Sequence, residues 1–177
     1  MLECPEAVLV VAWGNPLGED DAVAWHVLEA LRALRPRPGL PPLHLRHAHR
    51  LIPEMAECVS RATGVVFVDA RRDGNPGEVR REQVTPRAGA NPLAHSLSPQ
   101  ALLLYAEQLY GRAPQAVVLS IAGERFGMGE ALSPAVRRAI PRAVRAIVRQ
   151  AKAWAAAETE AITFRDRGDA SGGLHIP

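Results

Sequence analysis

A chain of 177 residues, 47% hydrophobic and 23% charged, is long enough to bury one proper core and short for two. Its 21 Lys and Arg are answered by 19 Asp and Glu, a formal net charge of +2 that does not call for nucleic acid as a partner. No apolar run nears the roughly 20 residues of a membrane span, and Glu3 and Pro5 break a signal-peptide pattern, so a soluble, unprocessed, cytoplasmic protein is expected.

The first apolar run, residues 7–13, has the continuous character of a strand buried on both faces. It passes through Trp13 into Gly14-Asn15-Pro16-Leu17-Gly18-Glu19-Asp20-Asp21, a turn loaded with acid. Asp20 is placed to cap the helix that follows, in which Val23, Val27, Leu31 and Leu34 make one stripe. Pro36, Pro38, Pro41 and Pro42 stiffen the connection to a short strand at residues 43–47. A helix opens at Pro53 with Met55, Ala56 and Val59 inward. Residues 64–69 read as a second buried strand closing on Asp69, and residues 77–84, with weak alternation, as an edge strand.

Ser98-Pro99 and Ser133-Pro134 both carry the start signal of a helix, a serine cap with proline in the first turn. Gly111 ends the first of these helices. Between them residues 116–121 form a third buried strand, followed by a loop with Gly123, Gly127 and Gly129. That loop lacks a phosphate-binding pattern and is expected to line a groove for substrate. Val136, Ile140, Val144, Ile147 and Ala151 mark the apolar side of the last helix; Arg138, Arg142, Arg145 and Arg149 lie opposite, as on a solvated face. Residues 157–177 lose periodicity and read as a poorly ordered tail. The only cysteines, Cys4 and Cys58, have no metal-type spacing. Free thiols in a reducing compartment are expected, with Cys58 a core thiol in a helix.

Alternation of buried strands and helices predicts, for residues 1–156, a single three-layer α/β/α sandwich with a mostly parallel sheet of about five strands. Right-handed crossovers then bring the carboxyl ends of the strands to one rim. Asp20 and Asp21 follow the first strand, Asp69 ends another, and His95 precedes the helix at Ser98. Taken singly, each has an ordinary explanation: a carboxylate in a first turn, an aspartate in a turn, a surface histidine. Converging on one rim, carboxylates and an imidazole offer oxygen and nitrogen ligands suited to nickel or zinc. No Ser-His-Asp or Cys-His set is evident.

The segment Gly14-Asn15-Pro16-Leu17-Gly18-Glu19-Asp20-Asp21 resembles the G-N-x-L-x-x-D-[DE] signature of hydrogenase maturation proteases, which trim the C-terminal tail of nickel-iron hydrogenase large subunits. Phe67-Val68-Asp69-Ala70, Pro76-Gly77-Glu78-Val79, His95-Ser96-Leu97-Ser98 and Leu132-Ser133-Pro134-Ala135-Val136 are similar to later motifs of that family, in the same order. The resemblance implies a phosphorylase/hydrolase-like sandwich and a cytoplasmic endopeptidase whose partner is the nickel-loaded large-subunit precursor. It assigns Asp21, Asp69 and His95 as catalytic and metal-binding residues. The metal is nickel carried in the substrate, for which zinc or another divalent ion would substitute in vitro. Polarising the carbonyl, activating water and setting register all remain open to it. Asn15 and His49 are assigned to the substrate, and His49, two positions after His47 on a strand, would add a ligand or contact the peptide. Ala12, Ala22 and Ala24 stand where the family usually has glycine, which leaves a nonproteolytic metal-dependent binding or chaperone module of the same fold as the alternative. A stand-alone metallohydrolase of small substrates is a third class.

Overall fold

Val8–Trp13, unbroken in its hydrophobicity, forms β1 beside the middle of a five-stranded sheet of order β2-β1-β3-β5-β4. The computed structural model describes Cys4 and residues 6–34, 38–88 and 97–169, with side chains as far as residue 160. The other strands are β2 (Leu43–Ala48), β3 (Gly64–Arg71), β4 (Val79–Val84) and β5 (Ala116–Ala122). Four run parallel; β4 pairs antiparallel with β5 and, among the described residues, has no strand on its other side. Its exposed Arg80, Arg81, Glu82 and Gln83 suit an edge that must not recruit another strand.

Helices cover both faces, as parallel strands require. Val10 and Ala12 of β1, Val66 and Val68 of β3, and Val117, Leu119 and Ile121 of β5 point to one side, against α1 (Val23–Arg32) and α4 (Pro134–Asp169). Leu9 and Val11, Val65 and Phe67 point to the other, against α2 (Ala56–Arg61) and α3 (Pro99–Tyr110). The two Ser-Pro starts and the glycine stop work as read. Ser98 accepts a hydrogen bond from the Ala101 backbone N–H at 3.2 Å, Gly111 closes α3 with φ +73°, and the Ser133 hydroxyl accepts from Val136.

Helix α4 continues to Asp169, past residue 157 where loss of periodicity suggested a frayed tail. The difference has a local cause: Ala155-Ala156-Ala157 has the highest helix propensity available and needs no apolar stripe to propagate from a helix already nucleated. Residues 170–177 lie outside the described residues. Trp154 anchors the helix on the sheet, its ring lying where a Cβ on Gly64 would stand, 2.4 Å away.

The cysteines require a correction. Cys58 is buried in the apolar phase of α2, but it is not a free thiol: it forms a disulfide with Cys4, whose Cα lies 4.8 Å away. No local pattern announces the pair, because the two residues are 54 positions apart and meet only when the segment before β1 crosses the α2 face. Loop-closure entropy for that span corresponds to a stabilisation of about 4 kcal/mol at most. Cys4→Ser is expected to cost about 2–4 kcal/mol in urea unfolding, and added reductant to lower the wild type to the same level. A wild-type midpoint indifferent to reductant would show that the bond contributes nothing.

Candidate active site

Trp13 ends β1 at the carboxyl rim, and there Gly14 turns the chain with φ +136°. A Cβ on Gly14 would lie 2.4 Å from the Asp21 carbonyl oxygen, so glycine alone allows both the backbone angle and the close approach. Its N–H donates to the Ala48 carbonyl at the end of β2, 3.3 Å away. The Asn15 N–H then donates to Asp21 Oδ2 at 2.7 Å, while Asn15 Oδ1 accepts from the Leu17 N–H at 3.0 Å. Asn15, assigned from the sequence to substrate, is thus an Asx turn that steers the loop, with its side chain still exposed.

The acidic residues that follow lie in a 3₁₀ turn, Glu19–Ala22, packed against β3. Asp20 does not cap α1, which has no side-chain cap at all. Instead it is fully buried and reaches across to the Gly-rich loop. Its Oδ2 accepts from the Glu124 and Arg125 N–H groups at 2.8 and 3.0 Å, and its Oδ1 from the Ser133 N–H at 2.7 Å. Burial alone would raise its pKa, but the Glu124, Arg125 and Ser133 hydrogen bonds together outweigh it and hold the carboxyl below its ordinary value. Glu19, at the left-handed φ of 51°, completes the clamp: its Oε2 accepts from the Gly127 N–H at 2.7 Å and its own N–H donates to the Gly129 carbonyl at 2.8 Å. A non-glycine residue in that conformation carries strain that the two bonds offset.

With Glu19 and Asp20 engaged in the frame, Asp21 is the carboxylate left at the rim. Asp69, near the end of β3, stands on the α2/α3 side of the sheet with Trp13 and Phe67, whose rings meet edge to face with centroids 6.1 Å apart. Burial pushes the Asp69 carboxyl up to about 7; the Ala70 backbone N–H opposes that rise and the nearby Asp21 charge adds to it. Two of the three expected ligands therefore share one electrostatic environment. His95 lies outside the described residues. Two positions on, the Leu97 N–H donates to the Leu51 carbonyl at 3.4 Å, in the loop that follows β2. Among the described residues no group of three His, Cys, Asp or Glu side chains could hold a metal ion.

His47 and His49 sit at this end of β2 with ring centroids 6.0 Å apart. His47 is on the α1 side, and among the described residues its buried Nε2 has no hydrogen-bond partner. Burial, reinforced by His49 and Arg32, lowers its pKa despite the Gly14 backbone. His49 is exposed, open to whatever approaches the rim.

No protein-family model matches the chain, and no curated protein matches it in sequence. Solved structures do. The [NiFe] hydrogenase maturation protease HycI from Thermococcus kodakarensis KOD1 is 23% identical, with TM-score 0.58 over 82% of this chain and 92% of that one. The hydrogenase maturating endopeptidase HybD from E. coli is 18% identical, with TM-score 0.58 over 79% of this chain and 88% of that one. The hydrogenase 2 maturation peptidase from Thaumarchaeota archaeon SCGC_AB-539-E09 is 17% identical, with TM-score 0.56 over 81% and 97%. The fold is that of hydrogenase maturation proteases.

Within that maturation-protease fold the departures from glycine are accommodated. Ala12, Ala22 and Ala24 are buried in the core between the sheet and α1/α4, and Ala22 has an ordinary φ of −76°. Their methyl groups fill space at positions that need no left-handed backbone. Gly14 and Gly77, where positive φ and close approach coincide, are kept: a Cβ on Gly77 would meet the Ala135 carbonyl oxygen of α4 at 2.5 Å. Beside it Glu78 forms an ion pair with Arg71 at 3.1 Å, so Pro76-Gly77-Glu78-Val79 braces the end of β3 just beyond Asp69. Glu19, the clamp on Gly127, was missed by the sequence reading; its place beside two aspartates carried no signal of its own.

Proposed function

We propose that the protein is an endopeptidase of the hydrogenase maturation protease family, which removes the C-terminal extension of a nickel-iron hydrogenase large-subunit precursor after nickel insertion. The observation that carries this reading is the buried Asp69 carboxyl near the end of β3, close enough to Asp21 for that charge to act on it, on a fold shared with hydrogenase maturation proteases. A carboxyl kept from ionising freely by burial first, and by a neighbouring carboxylate second, is a group that gains from an arriving cation. Nickel in the precursor is that cation on this reading, and His95 supplies the nitrogen donor that completes a set suited to it. Asp21 and Asp69 would hold the precursor through its metal and fix the scissile bond over the rim; Asn15 and His49 border the peptide. Zinc or another divalent ion is expected to replace nickel in vitro. The compartment proposed is the cytoplasm, in which case the Cys4–Cys58 bond stands against a reducing poise. No described helix is long and apolar enough to cross a membrane.

The test is to incubate the purified protein with nickel-loaded precursor and weigh the product. Loss of a C-terminal peptide is expected for the wild type, and an intact tail for Asp21→Asn and for His95→Ala, each still folded. Unchanged cleavage by either variant removes that residue from the mechanism. Tight binding of the precursor by the wild type with the tail intact would turn the assignment to a non-cutting binder of the same fold.

A further inference from the structure

Leu17 and Met128 are among the most exposed large apolar side chains described, at 51% and 83%. Singly, exposed apolar residues are ordinary. These two are brought together. Gly18 and Gly129 form an isolated parallel bridge, whose register sets Leu17 beside Met128, and the Gly129 N–H donates to the Leu17 carbonyl at 2.9 Å. The backbone that carries them is held by the Glu19 and Asp20 clamp on residues 124 to 133. It leads straight to the acidic pair, because the Asp21 N–H donates to the Gly18 carbonyl at 3.0 Å.

We propose that Leu17 and Met128 form an apolar subsite for the precursor segment that lies beside the scissile bond, with Glu19 and Asp20 as the positioning residues that hold it open. This rests on the function proposed above. Whatever seats on these side chains lies one 3₁₀ turn from Asp21, so the occupant is the polypeptide on which the site acts. A partner copy there would cover the rim instead. Fixing two apolar side chains on a clamped loop removes part of the ordering cost that binding otherwise carries. The flexible thioether of Met128 conforms to side chains of different shape.

The experiment follows kinetics of nickel-loaded precursor processing by the wild type, Leu17→Ser, Met128→Ser, the double variant and Met128→Leu. Both side chains are exposed, so thermal midpoints are expected to stay within about 2 °C of the wild type. KM is expected to rise about tenfold in the double variant with kcat within about twofold, and Met128→Leu to restore the wild-type KM. A double variant whose KM stays within about twofold of the wild type overturns the subsite while leaving the protease reading intact. A change of oligomeric state in the Ser variants with KM unmoved assigns the pair to a contact between copies, and overturns it too. A wild type that cuts no precursor overturns the functional reading itself, and the subsite with it.

Discussion

Asp20→Ala is expected to destabilise the protein by about 3–5 kcal/mol, because it strips three backbone N–H groups, the buried one of Ser133 and the part-buried ones of Glu124 and Arg125, of a charged acceptor. The Asp20 side chain itself is fully buried, so its removal also leaves a cavity. The effect should appear in urea unfolding as a lower midpoint with an unchanged slope. The pH dependence has a definite sign. The folded-state pKa of Asp20 lies below its ordinary value of 3.8, so the stability it contributes is present above that value and is lost as pH falls through the folded pKa. In the alanine variant that part of the acid limb disappears. A loss below about 1 kcal/mol would mean that the Gly-rich loop is held by something other than this clamp.

Asp69→Asn is expected to do the opposite to stability while abolishing processing. The Asp69 pKa is raised from 3.8 to about 7. Between those values the folded state binds more protons than the unfolded chain, so the contribution of Asp69 is fully favourable below 3.8 and is lost as pH rises through about 7. The asparagine variant carries no charge to desolvate. It should be more stable than the wild type by about 2–4 kcal/mol at pH 8, the gain shrinking toward zero near pH 4. Such a gain, coupled to loss of cleavage, is what a site held against its own electrostatics for the sake of binding a cation should show. A variant no more stable than the wild type at pH 8 would mean that Asp69 is already compensated in the folded protein.

These two aspartates show how the sequence and the fold divide the information. Asp69 was legible to within two residues: a run of β-branched residues and Phe67 leading to an aspartate marks a strand nearing its end, β3 in fact continues to Arg71, and parallel topology carries strand ends to one rim. Ser98, Gly111 and Ser133 were legible for the same kind of reason, since caps act within a single turn of chain. Asp20 was read as a local cap because its partners lie 104 to 113 positions ahead. The disulfide was missed likewise, and so was the clamp by Glu19. Helix α4 outran its apolar stripe because intrinsic propensity extended it where burial gave no periodicity.

What the sequence determined by itself is the alternation of buried strands with amphipathic helices, and with it the parallel sheet, because hydrophobic period and capping chemistry are written within a few neighbouring residues. The resemblance had already singled out Asp21; what only the tertiary structure decided is what its neighbour Asp20 does, which local chemistry read as a helix cap. The 3₁₀ turn points Asp20 into a distant loop and leaves Asp21 with Asp69. Side-chain direction there depends on contacts between segments that meet only when the chain has folded.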